Sequence, residues 1–308
     1  MEPKFSIPEM SSLLNITRQA VHKKLKEKSI QTKKKGNLSY LTFEEARNFF
    51  EFNFEQVIAT MHIVKGGVGK TTLTQSIGVR SSLYGARTLI IDVDPQANLT
   101  DSFNVDPYER PVLIDIIKDN LPVSESIVNV LPGVDILPSR IENIGLDPTI
   151  IIARIPLEIA FAQLIEQIKD NYDLILFDCP PAIGASVTAA ILSSNIIIAP
   201  IIPAKYAEKA LEIILNELKT IKRNYKRNIP LKILLNNFDN RKSRSHQTLS
   251  TVMSNPVYRD QMLQSFVRTS QTFENVLEEQ ETIFDNTRWT VEKEDIDLIT
   301  REILNIEV

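Results

Sequence analysis

A glycine-rich segment with two lysines carries the clearest chemistry in this sequence. It reads VIATMHIVKGGVGKTT over residues 57–72, an apolar run followed by glycines and then by a helical pattern. Glycines let backbone N–H groups turn toward phosphate oxygens, and the N-terminus of the following helix adds partial positive charge. Lys70 lies where it can reach the β- and γ-phosphates, and the hydroxyl of Thr71 lies where it can bind Mg²⁺. The segment therefore predicts a nucleoside triphosphate site.

The spacing of this segment departs from a strict P-loop at one position. A strict P-loop has glycine six residues before its lysine, where this sequence has Val64. A second lysine, Lys65, stands directly before the glycines. The string KGGVGKTT resembles the signature of the deviant-Walker-A ATPases, which include ParA-type partition proteins, the division-site protein MinD and the nitrogenase iron protein.

This resemblance implies a dimeric mechanism with ATP and Mg²⁺ as cofactors. In the family two monomers sandwich two ATP molecules, and the signature lysine, Lys65 here, reaches the partner's nucleotide. A cation supplied across the interface stabilises phosphate charge only in the dimer, as an arginine finger does. The expected nucleotide contacts, among which Lys65 and Lys70 act in catalysis, are Lys65, Gly66, Gly67, Val68, Gly69, Lys70, Thr71 and Thr72.

Two further apolar runs end in aspartates that suit a metal-dependent reaction. Residues 89–98 read LIIDVDPQAN, and residues 172–181 read YDLILFDCPP. Both runs predict strands, and α/β sheets bind ligands at the carboxyl ends of their strands. Resemblance to the family implies that Asp94 orients or activates the attacking water, that Asp92 lies near the Mg²⁺ shell, and that Asp178 holds Mg²⁺ through water. An aspartate at a strand end is otherwise commonly a turn residue.

A looser similarity extends the resemblance over residues 56–308. The string LLNNFDNR at 234–241 resembles the family's LLTMYDxR segment, and 266–284 resembles its C-terminal stretch. The resemblance implies that Asn236 or Asn237 contacts adenine, although asparagine after a strand is also a frequent turn former.

The pattern after residue 56 predicts an α/β fold with a mostly parallel sheet. Continuous apolar runs, typical of strands buried on both faces, alternate with longer amphipathic segments. The predicted strands are 57–64, 88–93, 134–137, 174–177, 196–202 and 231–235. The predicted helices are 71–84, 156–169, 204–223 and 243–253.

The first 41 residues differ in charge from the rest. They contain nine Lys or Arg and three acidic residues, whereas the whole chain has a formal charge of −4. A basic region on an acidic body suggests contact with a polyanion, and the alternative is a solubilising basic tail.

The pattern of this region indicates a small winged helix-turn-helix domain over residues 1–55, followed by the ATPase domain over 56–308. Its expected parts are a helix at 8–14, a turn at 15–16, a helix capped by Thr17 through Glu27, a hairpin of 31–34 with 38–41, and a helix that begins in the Thr42–Glu45 capping box and runs through Phe54. The region resembles the MerR-like DNA-binding fold and the operator-binding segment of long ParA proteins. Similar helix pairs also occur in modules that never touch DNA.

In a MerR-like arrangement the second helix enters the major groove. The residues expected at base edges are Thr17, Arg18, Gln19 and His22. Those expected at phosphates are Lys23, Lys26, Lys33, Lys34 and Lys35.

Two basic clusters in the larger domain are candidates for non-specific DNA binding, which partition proteins show as ATP-bound dimers. The clusters are Lys219, Lys222, Arg223, Lys226 and Arg227, and Arg241, Lys242, Arg244 and Arg268, with Arg223, Arg241 and Arg244 as the leading candidates. The alternative for each is an ordinary solvated surface charge.

Composition narrows the relatives that this chain can resemble in function. The one cysteine, Cys179, argues against an iron–sulfur or disulfide protein. No run approaches the roughly 20 apolar residues of a membrane span, and the first residues lack a signal-peptide layout. The segment 291–304 is amphipathic but acid-rich, which disfavours a MinD-type membrane helix. We expect a cytoplasmic, nucleoid-associated protein that does not bind membranes.

The sequence as a whole predicts a Mg²⁺-dependent ATPase that acts as a slow switch in plasmid or chromosome partition. The resemblance implies an ATP-dependent homodimer, a ParB-like centromere-binding partner, and repression of its own operon through the N-terminal domain. The alternatives are a nucleotide-gated transcriptional regulator without a partition role and a MinD-like cell-division positioning ATPase.

Overall fold

Ten strands form in the computed structural model, which describes residues 1–307 apart from the side chain of residue 274. They are β1 (Phe5–Ser6), β2 (Lys33–Lys35), β3 (Leu38–Leu41), β4 (Val57–Met61), β5 (Thr88–Asp92), β6 (Val128–Leu131), β7 (Val134–Leu137), β8 (Leu174–Asp178), β9 (Ile196–Ile201) and β10 (Leu231–Leu235). The predicted strands agree with these bounds to within three residues, and β1 and β6 were not predicted.

The last seven strands form one sheet in the order β10-β9-β4-β8-β5-β7-β6. All neighbours in this sheet are parallel except β6 and β7, which form an antiparallel hairpin at one edge. Alternate residues of a strand face opposite sides, so that Leu176 joins one apolar cluster and Phe177 the other. The predicted α/β fold with a mostly parallel sheet, covered on both faces, is confirmed.

Fifteen α-helices lie within the described residues. They are α1 (Ile7–Leu13), α2 (Arg18–Glu27), α3 (Phe43–Phe50), α4 (Lys70–Ser82), α5 (Asn98–Ser102), α6 (Leu113–Asp119), α7 (Leu146–Ile152), α8 (Leu157–Ala160), α9 (Ala162–Ile168), α10 (Ala185–Ser193), α11 (Ala207–Tyr225), α12 (Ser243–Ser254), α13 (Pro256–Arg259), α14 (Thr272–Glu278) and α15 (Val291–Leu304). Short 3₁₀ turns occupy Val123–Glu125, Ile141–Gly145 and Lys169–Asn171. Over residues 1–307 none of the helices combines the length and apolarity needed to traverse a bilayer.

Two predicted helices differ most from their predicted bounds, and the others agree to within three residues. The helix predicted at 156–169 is divided into α8 and α9 at Phe161, whose ring is buried and stacks on Phe177 at 6.0 Å between centroids. The helix predicted to run through Phe54 ends at Phe50, because Glu51 adopts a left-handed backbone with φ 52°. That turn allows Phe52 to stack on Phe50, with 5.1 Å between ring centroids.

Residues 5–50, here called the N-terminal module, fold as three helices and a three-stranded sheet of order β1-β3-β2. Ser6 and Glu9 form a capping box at the start of α1, and the hydroxyl of Thr17 accepts the Ala20 N–H at the start of α2. Strands β2 and β3 pair with Lys35 opposite Leu38, which leaves a two-residue turn. Local capping and turn chemistry therefore account for the elements of this module.

The N-terminal module packs into the core of the larger domain. Phe5 and Met10 belong to the same buried apolar cluster as Ile77 of α4. On α3, the guanidinium of Arg47 donates to the Gly85 carbonyl oxygen at 2.6 Å. A Cβ at Gly85 would lie 2.4 Å from the Arg47 Cα, so this close approach requires glycine. The module and the sheet domain share one continuous core on this side.

A buried ion pair fastens the same interface. The ammonium of Lys293 on α15 lies 2.7 Å from Oε1 of Glu9 on α1, and both side chains are fully buried. Lys293 also donates to the Asn286 carbonyl oxygen at 2.7 Å. Burial lowers the pKa of Lys293, while the charge of Glu9 acts in the opposite direction. Each charge is tolerated there only because the other is present.

This pair predicts a large stability effect for Lys293→Met in the full-length chain. The substitution leaves the Glu9 carboxylate buried without its cation, so the free energy of unfolding should fall by about 3–5 kcal/mol in urea denaturation. The added substitution Glu9→Gln should recover part of the loss. As a control, Lys23→Met breaks an exposed 3.8 Å pair with Glu27 and should change stability by less than about 1 kcal/mol. Equal effects for Lys293→Met and Lys23→Met would contradict the role of the buried pair.

Candidate nucleotide site

The glycine-rich segment joins β4 to α4 in the way that the sequence predicts. Gly67 and Gly69 adopt positive φ angles of 69° and 85°, and α4 begins directly afterwards at Lys70. A Cβ on Gly69 would lie 2.4 Å from Nδ2 of Asn236, and that amide donates to the Val68 carbonyl oxygen at 2.8 Å. Asn236, directly after β10, therefore fixes the glycine loop through a hydrogen bond to its backbone. The loop N–H groups and the helix start provide an anion-binding concavity.

The structure brings the two lysines of the segment together. The ammonium of Lys70 is largely buried and donates to the Lys65 carbonyl oxygen at 3.2 Å. Burial lowers the pKa of Lys70, and the nearby carboxylates of Asp178 and Asp94 oppose that shift. Lys65 is partly exposed at the rim. One cation thus faces the strand-end carboxylates from within, and the other is partly exposed at the rim of the loop.

Asp178 forms the centre of the predicted metal site. Its carboxylate is buried at the end of β8 and accepts hydrogen bonds from Thr71 Oγ1 at 2.7 Å and Thr74 Oγ1 at 3.2 Å. Burial raises the pKa of Asp178 to about 6, against the stabilising effects of the Thr71 hydroxyl and of Lys70. The tertiary structure therefore places the hydroxyl and the carboxylate predicted for Mg²⁺ side by side.

Asp92 and Asp94 at the end of β5 have different environments. Asp92 is fully buried, and its carboxylate accepts the N–H of Asp94 at 3.1 Å and both the N–H and the hydroxyl of Thr100 at 3.0 and 2.7 Å. Burial, reinforced by the charge of Asp178, raises the pKa of Asp92 well above its usual range. Asp94 is partly exposed, and its carboxylate accepts only the Gln96 N–H among the hydrogen bonds found in the described residues. Asp92 thus shapes the turn, whereas Asp94 keeps acceptor capacity toward the cleft.

The oxygen ligands offered by Thr71 and Asp178 suit a magnesium ion that also binds phosphate oxygens. Within residues 1–307 no three His, Cys, Asp or Glu side chains form a ready-made metal cage. Mg²⁺ commonly takes only one or two protein ligands and fills its shell with water and phosphate oxygens. Thr71 and Asp178 provide such a partial set, and the roles predicted for Asp92 and Asp178 stay predictions.

A cavity of about 400 Å³ opens beside the glycine loop. Its lining combines the loop with the ends of β9 and β10 and with α14: Gly67, Val68, Gly69, Thr72, Leu73, Ile202, Asn236, Asn237, Arg268, Ser270, Phe273, Leu277 and Glu278. Asn236 and Asn237, the two candidates for contact with adenine, both line this cavity. Asn237 adopts a left-handed backbone with φ 56°, as a turn former does, and its side chain accepts the Thr269 hydroxyl at 2.5 Å.

Sequence reasoning missed the α14 side of this cavity. Phe273 and Leu277 provide apolar surface in this lining, and the flat apolar ring of a nucleotide base needs such a surface. They lie one helical turn apart on a short helix, a pattern that an ordinary core helix also shows. Only the fold brings this helix against a loop that lies two hundred residues earlier in the chain.

Arg268, one of the candidates for DNA contact, is ion-paired within the molecule. Its guanidinium is held by Asp295 at 2.5 Å and by Glu294 at 2.6 Å on α15. These carboxylates raise the pKa of Arg268 and neutralise its charge within the molecule. Arg268 therefore fastens α15 at the edge of the cavity rather than presenting a free surface cation.

The other basic candidates lie on the surface. All nine residues predicted at DNA in the N-terminal module are exposed: Thr17, Arg18, Gln19, His22, Lys23, Lys26, Lys33, Lys34 and Lys35. In the larger domain Arg223, Arg241 and Arg244 are exposed as well. Arg241 makes a two-point ion pair with Asp239 at 2.9 and 3.1 Å, which reduces its free charge.

Fold and site together define a P-loop ATPase. The sequence model of the AAA domain family matches residues 55–233, and the chain belongs to this family. It is therefore an ATPase, as its sequence predicts.

Similar proteins include ParA and Soj proteins. The chain is 27% identical to the sporulation initiation inhibitor protein Soj of Bacillus subtilis over 66% of its own length and 80% of Soj. It is also 27% identical to the virulence plasmid ParA family protein pGP5-D of Chlamydia psittaci over 78% of this chain and 92% of that one.

Solved structures share the fold. A putative plasmid partition protein of Borrelia burgdorferi bound to AMPPNP superimposes with a TM-score of 0.68 at 21% identity, over 82% of this chain and 99% of that chain. Other solved structures that resemble this chain contain ADP or an ATP analogue together with magnesium.

The loop geometry predicts that the glycines are not equivalent. Gly69→Ala imposes a positive φ on a side chain and displaces the Asn236 amide, so it should lower the free energy of unfolding without nucleotide by about 2–3 kcal/mol. Gly66→Ala is the matched control, since its Cβ would meet no atom within 4 Å. It should change stability by less than about 1 kcal/mol. Urea denaturation measures both, and equal losses would contradict the clash at Gly69.

Proposed function

We propose that this ATPase segregates DNA by using ATP binding and hydrolysis, with Mg²⁺, as a switch between an ATP-bound dimer and free monomers. The observation that carries the proposal is the arrangement of Lys65 at the rim of a glycine loop whose Lys70 and Thr71 face the Asp178 carboxylate. Partition and ParA proteins among the similar chains support the biological role. A ParB-like centromere-binding partner would stimulate hydrolysis and release the dimer.

The chemistry of the site follows from its side chains. Lys70 and the loop N–H groups would bind the phosphates, and Thr71 with Asp178 would hold Mg²⁺, whose charge would help to neutralise the phosphate oxygens. Asp94, partly exposed and with free acceptor capacity, orients or activates the attacking water. Lys65 stabilises phosphate charge on the partner's nucleotide, so hydrolysis requires the dimer.

An exposed apolar surface supports dimerisation at this edge of the sheet. Ile151 and Ile152 at the end of α7 are 66% and 80% exposed, and Ile183 in the loop after β8 is 60% exposed. Ile151 and Ile183 line one groove. Hydrogen bonds join its two sides, since the Asp147 carboxylate of α7 accepts the N–H groups of Ala185 and Ser186 at the start of α10. Contiguous exposed isoleucines mark an association surface, and a second copy would cover them.

Two substitutions test the switch. Lys65→Ala should abolish ATP-dependent dimerisation and non-specific DNA binding, because the cation supplied across the interface is lost. Asp94→Ala should slow hydrolysis by about 10²-fold or more and trap a dimer that holds DNA. ATPase assays and analytical ultracentrifugation, with and without duplex DNA, measure these outcomes.

The exposed Lys118→Ala on α6 is the matched control and should behave like wild type. If Lys65→Ala dimerises and binds DNA as well as Lys118→Ala does, the trans-acting lysine is excluded. A nucleotide-gated regulator that needs no stimulating partner would then be the better description.

We further propose that the N-terminal module binds operator DNA through α2. The helix buries Val21 and Leu25 and exposes Arg18, Gln19 and His22 on its other face, while the hairpin presents three consecutive lysines. A helix with such a polar face, flanked by a basic wing, suits major-groove contact with phosphate clamping on either side. Repression of its own operon is the function that this binding would serve.

Side-chain substitutions test this role better than deletion, because removing the module would uncover the buried surface around Phe5 and Lys293. Arg18→Ala should cost about 1–3 kcal/mol in operator affinity and relax sequence preference. Lys33→Ala should weaken operator and random DNA alike and reduce the salt dependence. Arg110→Ala, exposed on the larger domain, serves as the control. Unchanged operator affinity in Arg18→Ala, measured by fluorescence anisotropy, would contradict major-groove binding by α2.

Non-specific DNA binding by the dimer is proposed for Arg223 and Arg244, with Arg241 contributing after release from Asp239. Their exposure supports this assignment. Such binding would place the protein on nucleoid DNA in the cytoplasm. The MinD-like alternative is disfavoured, since α15 packs on α4 and buries Ile296, Ile299 and Ile303 there instead of presenting them to a membrane.

A further inference from the structure

The first residues of the stretch 272–287 form one wall of the nucleotide cavity. Its last residues contact the N-terminal module. We infer that this stretch is a coupling segment, through which occupancy of the nucleotide cavity stabilises the docked position of the module. The inference rests on the proposed function for the identity of the ligand in the cavity. It adds a physical route by which nucleotide controls the DNA-facing surface of α2.

The first end of the coupling segment belongs to the cavity. Phe273, Leu277 and Glu278 of α14 line it opposite the glycine loop. The side chain of Gln280 donates to the Asp101 carbonyl oxygen at 3.1 Å, which ties the end of α14 to α5. A base that enters the cavity gains contact with α14 and so favours conformations in which α14 is in place.

The second end of the coupling segment presents backbone carbonyl oxygens to the start of the module and to Lys4, the residue directly before it. The Lys4 N–H donates to the Phe284 carbonyl oxygen at 3.0 Å, and the Ser6 hydroxyl donates to that of Thr287 at 3.4 Å. The Asn286 carbonyl oxygen accepts from Lys293, the same ammonium that pairs with Glu9. Displacement of this stretch would therefore break the contacts that seat β1 and α1.

Helix α4 supplies a second connection between the same two places. Its first turn carries Lys70 and Thr71, and Gln75 donates to the carbonyl oxygen of Glu281 at 3.4 Å. In its last turn the fully buried guanidinium of Arg80 lies 4.4 Å from the ring centroid of Phe5 and 5.8 Å from that of Phe284.

Arg80 is held in that position by an ion pair with Asp297 of α15. A cation within cation–π distance of a module ring and of a coupling-segment ring links both to α4. Packed contacts thus connect the glycine loop, α4, the coupling segment and the module. Because of these contacts, ordering one of the four lowers the entropic cost of ordering the others.

Hydrogen–deuterium exchange of the full-length protein tests the coupling, with AMPPNP and Mg²⁺ as the probe. The reporters are the amides of Lys4, Thr282 and Asp285, each of which donates a hydrogen bond in or to the coupling segment. We expect nucleotide to slow exchange at the glycine loop and, by about fivefold or more, at these three amides. Helix α6, which does not line the cavity and packs in the other apolar cluster, should not change.

Phe273→Ala separates the two ends of the segment. It removes a cavity wall but leaves the phosphate loop, so protection of the loop should persist while protection at Lys4, Thr282 and Asp285 is lost. Phe266→Ala is the matched control, since it removes a ring that packs on Phe238 at 4.9 Å outside the cavity lining. This control should transmit protection as wild type does.

The alternative outcomes are distinguishable. Slower exchange at the glycine loop alone in wild type would overturn the coupling and leave the nucleotide site in place. Unchanged exchange at both ends would overturn the site and the coupling together. Equal protection at the three amides in Phe273→Ala and wild type would overturn the relay through α14.

Discussion

The buried carboxylate of Asp178 is the constraint on which the arrangement of the site depends. A carboxylate withdrawn from water is costly unless hydroxyls and cations surround it, and here Thr71, Thr74 and Lys70 supply them from the first turns of α4. Helix α4 can do so only because β4 and β8 are parallel neighbours, which brings the glycine loop and the end of β8 to one edge. The strand order, the loop and the helix start are thus parts of a single electrostatic arrangement.

The same helix connects this arrangement to the N-terminal module. Its first turn faces the carboxylates, and its last turn carries Arg80 among Phe5, Tyr84 and Asp297. Because the module buries its apolar face and the Glu9–Lys293 pair in this interface, it behaves as part of the core rather than as a tethered appendage. In the proposed function, the DNA-facing surface and the nucleotide site therefore share one rigid support.

Local patterns predicted the sheet well and several helices poorly. The strands β7 and β10 match their predicted bounds, since buried parallel strands are uninterrupted apolar runs. Helix α10, with the sequence ASVTAAILS, was missed because it is small or apolar on nearly every side and shows no amphipathic period. The break at Phe161 and the pairing of Arg268 depend on partners in distant elements, which spacing along the chain does not reveal.

The sequence by itself determined the phosphate chemistry, because a glycine loop between a strand and a helix contains its own turn, donors and lysines within a few residues. It also placed the aspartates at strand ends, where a parallel sheet gathers them. Only the tertiary structure decided that Thr71 meets Asp178, that Phe273 closes the cavity opposite Gly69, and that Glu9 finds Lys293. Such pairs join residues far apart in the chain, and their formation depends on how whole elements pack rather than on local spacing.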